Sequence, residues 1–397
     1  MGFVIDNFLI NKNKGIKSSK KTNNIFIKKI KEIIINKKKY LYKSFLPKTK
    51  YSFRYRDLIK FKKYKTIILI GMGGSIMGSK AIYSFLRKKI KKKLIFIDNL
   101  DLELVNNIKK KYASKNSLFL AISKSGNTTE TLANLSIFKK YFNKKNLIII
   151  SEKKNNALFS FAKKNKFYFI EHNKRIGGRY SVFSEVGMVP AILMGLNPVK
   201  FKKTLPIFFK KNIRKQILFN QSIFFSKKYR NIILFNYVPQ LKDFLFWYQQ
   251  LLSESLGKRQ KGLLPVISSA PRDHHSLLQL YLDGPKDKIF YIFSSSIKSS
   301  QKLKLDEFGK GIEFLNKKKY HNVNLSQKNA FKEILKKNKV PFREIKIRNF
   351  DEKTLGELFL YFIFETIYLG YSRNINPFDQ PAVEGVKILT KKILTSK

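Results

Sequence analysis

Leu118–Leu135, LFLAISKSGNTTETLANL, passes from an unbroken apolar run into a knot of small hydroxyl residues and then into a helical pattern. A strand that is apolar at every position is buried on both faces, as in a parallel sheet covered by helices. At its end Ser123, Lys124, Ser125, Gly126, Asn127, Thr128 and Thr129 meet the start of a helix. Aligned backbone N–H groups, the positive end of the helix dipole and several short neutral donors together suit a phosphate. Gly126 permits the backbone shape that such a nest needs. An ordinary helix cap is the plainer alternative, because Ser and Thr favour that place. One hydroxyl is enough for a cap, and this segment carries four within seven positions.

The same texture continues on either side. TIILIG, LIFID, LIIIS and FYFIE read as further short strands, with helical patterns between several of them, including one over 75–87. Beyond GGRYSVFSEVGMVPAILMGLNP the pattern partly repeats: NIILFNY, KIFYIFSS and REIKIRNF as strands, KDFLFWYQQLLSESLG and NAFKEILKKNK as helices. EKTLGELFLYFIFETIYLGYSRN reads as a long helix, followed by a proline-containing turn and a terminal helix. Strand and helix in alternation point to two α/β domains with doubly wound parallel sheets, in three αβα layers, and a C-terminal helical tail. The expected division is an N-terminal helical or extended segment over 1–60, domains over 61–200 and 201–375 meeting near 195–215, and a turn and helix over 376–397 that complete the site. Within the first segment IFIKKIKEIII is the one amphipathic stretch and is expected to be helical.

Composition narrows the chemistry. The 397 residues include no Cys and only four His, which rules out thiolate chemistry and leaves no basis for a transition-metal site. The net charge is +56, yet only 12 of the 82 basic residues are Arg, and Lys is scattered along the chain. A base or phosphate-backbone reader is expected to favour Arg, whose fork matches phosphate bidentately. A solvated, lysine-rich surface without specific nucleic-acid recognition is therefore expected, with a field that still attracts anions. The N-terminus lacks the pattern of a signal peptide, and the most apolar stretch, LFLYFIFETIYLGY, is short and holds Glu365. A soluble cytoplasmic protein without a membrane partner is the expectation.

A second glycine-rich turn, GMGGSIMGSKA, follows the strand TIILIG. Gly71, Gly73, Gly74 and Gly78 match a loose dinucleotide pattern, and Asp98 stands near the place of its acidic residue. A second hydroxyl-rich loop on a neighbouring strand end counts against a dinucleotide. Together, GMGGSIMG and SKSGNTTET resemble the loops of the sugar isomerase (SIS) domain. With GGRYSVFSEVGMVPA, QQLLSESLGK, SSAPRDHHSLLQLYLDGP and NPFDQPAVEGVK in order over about 65–390, the chain resembles the phosphoglucose isomerase family.

That resemblance implies roles. Ser123, Ser125 and Thr128 would hold the substrate phosphate with Lys124 nearby, and Gly74 and Ser75 would line the sugar. Glu254 would be the base, Gln250 and Gln380 would contact substrate, and Arg179 would sit beside the reacting carbons. His275 and Lys387 would open the sugar ring. The family implies no cofactor and a homodimer in which His275 serves the neighbouring site. Ala382 stands where the family usually has Gly. From the residues alone, a solvated or ion-paired helix carboxylate is the plainer reading of Glu254, either His274 or His275 suits a first helical turn, and Lys387 is one lysine among many. A related enzyme for another sugar phosphate and a non-catalytic phosphosugar-binding regulator stay open as alternatives.

Overall fold

The computed structural model describes residues 1–8, 28, 32, 38–113, 116–206, 210–224, 226 and 228–396. The amphipathic stretch at 25–35 lies outside them apart from Lys28 and Glu32. Ten strands are present among the described residues: β1 (Phe3–Phe8), β2 (Thr66–Gly71), β3 (Lys93–Ile97), β4 (Ser117–Ile122), β5 (Leu147–Ser151), β6 (Tyr168–Glu171), β7 (Asn231–Asn236), β8 (Leu264–Ser269), β9 (Lys288–Ser295) and β10 (Phe342–Ile347). The helices that matter most for the site are α1 (Met77–Phe85), α2 (Thr129–Ile137), α3 (Glu185–Leu193), α4 (Lys242–Leu256), α5 (Tyr320–Lys337), α6 (Glu352–Ser372) and α7 (Glu384–Thr395).

Two five-stranded sheets result, ordered β3-β2-β4-β5-β6 and β1-β10-β9-β7-β8. The first is parallel throughout. The second is parallel except for β1, which runs antiparallel along β10. Among the parallel strands of each sheet, the chain lays the second on one side of the first and the third on the other. Such a reversal opens a crevice outside the carboxyl ends of the two central strands. In the first sheet these are β2 and β4, in register from Thr66 opposite Ser117 to Gly71 opposite Ile122. In the second they are β7 and β9.

The strands of the first sheet are apolar because helices cover both faces; β4 is buried at every position. Packing between the sheets is aromatic. Phe183 meets Phe359 at 6.0 Å, Trp247 meets Phe359 at 4.6 Å and Tyr248 meets Phe362 at 4.1 Å, so α4 and α6 share one core with the segment before α3. Helix α6 is buried from Thr354 to Gly370, which explains a sequence apolar on every face. No helix among the described residues is long and apolar enough to cross a membrane.

Two strands escape the sequence patterns. LPVISS contains Pro265, which lacks a ladder donor, and β8 accommodates it by being an edge strand. FVIDNF lies within the polar N-terminal stretch, yet β1 is the other edge of the same sheet. Proline also sits inside α3 at Pro190, where Val186 loses its intrahelical N–H partner. The Ser79 hydroxyl donates to that carbonyl at 3.4 Å.

Candidate functional site

Both loops singled out in the sequence leave the crevice-forming ends of β2 and β4. After β4, Gly126 adopts φ +74, and a Cβ there would lie 1.9 Å from Asn156 Oδ1, so only glycine fits. The loop is tied to the next helix: Asn127 Oδ1 accepts from Ala157 N at 2.8 Å and the Gly126 carbonyl accepts from Leu158 N at 3.1 Å. Thr128 stands at the N-cap of α2 but makes no side-chain cap bond. Its hydroxyl instead pairs with Ser123 Oγ at 2.8 Å, and Ser125 Oγ lies 3.4 Å away. The plain capping reading is thus not what the chain does. The hydroxyls gather on one another while the first N–H groups of α2 keep no side-chain cap. Lys124, part-exposed, faces Glu152 at 4.0 Å. Burial pushes its ammonium pKa down, Glu152 opposes this, and Lys154 and Arg179 add repulsion.

The loop after β2 is built by contact. Gly73 has φ +50, and a Cβ on it would come 2.8 Å from Gln250 Nε2. A Cβ on Gly74 would sit 2.2 Å from the Gly178 carbonyl carbon. The Ser181 hydroxyl donates to Gly74 O at 3.2 Å. Ser75 closes the turn through its N–H to Met72 O at 3.0 Å. The glycines therefore let two backbones and the α4 side chains approach one point.

Arg179 occupies that point and is 3 % exposed. Its Nη1 donates to Glu254 Oε2 at 2.9 Å and to Gln380 Oε1 at 2.8 Å. Its Nη2 donates to the carbonyls of Pro377 and Asp379, each at 2.8 Å, and its Nε to Ser255 Oγ at 2.9 Å. Glu254 is part-exposed and accepts a second bond, from Gln250 Nε2 at 2.8 Å. One guanidinium thereby joins α4 to the turn before α7, and both oxygens of the part-exposed Glu254 carboxylate are held by donors. Between Lys124, Arg175, Gly177 and Phe378 lies a cavity of about 360 Å³.

Comparison with known proteins places this arrangement. The phosphoglucose isomerase family model matches residues 56–270. The glucose-6-phosphate isomerase of Methanocaldococcus jannaschii is 34% identical over 360 residues, covering 85% of this chain and 87% of that protein. That of Campylobacter jejuni is 34% identical over 361 residues, covering 86% and 88%. The chain belongs to the phosphoglucose isomerase family. Among solved structures, a hypothetical protein from Thermus thermophilus shares the fold with TM-score 0.82 at 23% identity, covering 94% of this chain and 95% of its own. A glucose-6-phosphate isomerase from Chlamydia trachomatis does so with TM-score 0.71 at 18% identity, covering 87% and 72%.

Of the residues that the family resemblance nominates, the fold brings Gly74, Arg179, Gln250, Glu254 and Gln380 into one contact network, with Ser75 beside it. Ser123, Lys124, Ser125 and Thr128 stand on the adjacent strand end. The histidine doublet separates cleanly. His274 turns into the second domain, its Nε2 2.6 Å from the Tyr237 hydroxyl and its ring 5.4 Å from Phe235. His275 is exposed and makes no side-chain hydrogen bond among the described residues. Lys387 is also apart from the network, exposed on α7 and paired with Glu384 at 2.7 Å. Ala382 lies in the exposed turn Pro381–Val383.

Ser255 and Tyr180 belong to the network without having been nominated. Ser255, fully buried, accepts from Arg179, and the Tyr180 hydroxyl lies 2.9 Å from both Ser255 Oγ and the Pro377 carbonyl. Each adjoins a nominated residue, and their placement in GGRYS and SESLGK is the one signal available.

Near the phosphate-type loop, His172 is 1 % exposed; its Nε2 is 3.2 Å from Ile176 O and its Nδ1 has no partner. Burial pushes its pKa from 6.5 down to about 4. The unfolded chain therefore takes up a proton that the folded chain refuses, and stability falls as pH drops from about 6.5 to about 4. We expect His172→Gln to flatten the fall in thermal midpoint over that window. An unchanged slope would mean that other groups carry it.

Proposed function

We propose that this chain interconverts glucose 6-phosphate and fructose 6-phosphate, in glycolysis and gluconeogenesis, as a cytoplasmic enzyme without a cofactor. The observation that carries the reading is the Glu254 carboxylate, fixed by Arg179 and Gln250, in a crevice whose other rim is a hydroxyl-rich loop. Ser123, Ser125 and Thr128, with Lys124, take the phosphate, while Gly74, Ser75, Gln250 and Gln380 line the sugar.

The reaction moves one proton from C2 to C1 and a second between the two oxygens, so no electrons enter or leave the pair. Glu254 removes the C2 proton of the open-chain aldose and returns it to C1. Arg179 stabilises the enediolate that forms between these steps, since a guanidinium does not give up its proton. Opening the cyclic form requires an acid and a base at the ring oxygen and its hydroxyl, assigned to His275 and Lys387. To serve there, Lys387 must give up its exposed pair with Glu384.

An exposed His275 whose side chain makes no hydrogen bond among the described residues suits a homodimer in which it completes the neighbouring site. Mixing inactive Glu254→Gln with inactive His275→Ala protomers is expected to give hybrid dimers with one intact site of two, or about a quarter of wild-type activity in an equal, random mixture; no recovery sinks the shared site. The function itself is tested by coupling turnover of fructose 6-phosphate to a dehydrogenase that consumes glucose 6-phosphate. Binding of the sugar phosphate without turnover would make the chain a phosphosugar-binding protein. Turnover only of mannose 6-phosphate would move it to a related isomerase.

A further inference from the structure

The second sheet has its own reversal, between β7 and β9, and a crevice at the same relative place. A cavity of about 220 Å³ opens there, against Tyr237 after β7, Ser294–Lys298 at the end of β9 and Lys346 near the end of β10. We propose that this cavity binds a small phosphate ester, at a site separate from the Glu254 crevice.

The chain leaving β9 reads SSSIKSS, a hydroxyl-rich segment containing a lysine, as in the segment after β4. No carboxylate lines the cavity, whereas Lys298, Lys328 and Lys346 do. Glu344, on β10 opposite Asp6 of β1, is already shared between two lysines. Lys328 Nζ lies 2.8 Å from its Oε1, Lys332 bonds its Oε2, and the Ser294 hydroxyl donates to it at 2.6 Å. Burial pushes the Glu344 pKa up, but these partners outweigh it and hold it at about 2. Glu344 therefore stays ionised, and the pair of lysines around it keeps a net positive charge. Lys298 and Lys346 are exposed and have no carboxylate partner among the described residues.

Neutral groups point to an ester rather than a bare anion. His321 Nδ1 accepts from Ser299 N at 3.0 Å, which places its proton on Nε2 as a donor. Asn324 spends its Nδ2 on the Tyr237 carbonyl at 3.2 Å, and its buried Oδ1 has no partner. A small turn of the Asn324 side chain brings that acceptor to the cavity wall, where a hydroxyl on the ligand is the donor it lacks. The volume is below the roughly 300 Å³ of drug-sized pockets, which suits a phosphate carrying a few hydroxylated carbons.

The inference does not rest on the isomerase reading. Equilibrium dialysis of the full chain against labelled glycerol 3-phosphate is expected to give two equivalents bound per chain. Lys298→Ala with Lys346→Ala should reduce this to one, while Lys302→Ala with Lys304→Ala, on exposed lysines outside the cavity, should leave two. Inorganic phosphate should bind the second site about tenfold more weakly, for want of the hydroxyl that Asn324 accepts. Loss of no equivalent on removing Lys298 and Lys346 overturns the proposal, whether the wild type binds one or two. Equal loss in the control pair would assign the binding to the diffuse lysine field. Equal affinity for inorganic phosphate would overturn the ester.

Discussion

Glu254→Gln is expected to lower kcat by about 10²–10⁴ while KM changes little. Glutamine keeps the size of the side chain but removes its capacity to accept the C2 proton. Both present partners of the carboxylate, Arg179 Nη1 and Gln250 Nε2, are donors, so an amide NH₂ would face one of them badly. Gln250 supplies the remedy. Its Oε1 is buried without a partner, and a half-turn of its amide presents that oxygen to the new NH₂. The substitution is thus tolerated by the fold, and lost turnover reports on chemistry. The measurement is the coupled dehydrogenase assay alongside calorimetric binding of a sugar phosphate. Equal losses in binding and turnover would make Glu254 a positioning group and sink its assignment as base.

The largest expected effect on stability lies away from the crevice. Arg343 on β10 and Glu365 on α6 are both fully buried. Arg343 Nη1 donates to Glu365 Oε1 at 2.7 Å, and Nη2 bonds the Tyr361 hydroxyl. The Tyr361 hydroxyl donates to the same Oε1 at 2.7 Å, and the guanidinium lies 4.8 Å from the Tyr291 ring centroid. Arg343→Leu leaves a carboxylate in the core with only hydroxyl donors, at a cost of about 3–5 kcal/mol. Adding Glu365→Leu removes the stranded charge and should recover much of the loss, because desolvating the pair offsets most of its attraction. Urea unfolding of the two variants decides the matter. If the double variant is no more stable than the single, the stranded charge is not the source. Tyr248, whose hydroxyl lies 3.5 Å from Glu365 Oε2, sits on α4 with Gln250 and Glu254, so this cluster also seats the helix of the site.

Much of this was legible in sequence because the signals are local. TIILIG and LFLAI announce buried parallel strands by being apolar throughout, and the glycines of GMGG and GGR mark where backbones converge. Thr128 was legible as a helix start, but not its turn away from capping towards Ser123. Arg179 stood out as a scarce residue after two glycines. Its bonds to Ser255, Pro377 and Gln380 join positions 76 to 201 residues apart, and no local pattern encodes them. The strands β1 and β8 were hidden for a related reason. An edge strand satisfies half as many backbone groups, tolerates Pro265 or a polar neighbourhood, and so carries a weaker pattern.

The edge position of β1 has a consequence for how the molecule is made. Phe3 pairs opposite Ile347, and Gly2 N donates to Glu357 Oε2, a partner 355 positions further along the chain. During translation β1 emerges long before β10 exists to receive it. The first domain completes its sheet from residues 66–171 while β1 still waits. Assembly of the second sheet therefore ends with a return to the chain's earliest residues, and its last strand is seated only when nearly everything else has folded.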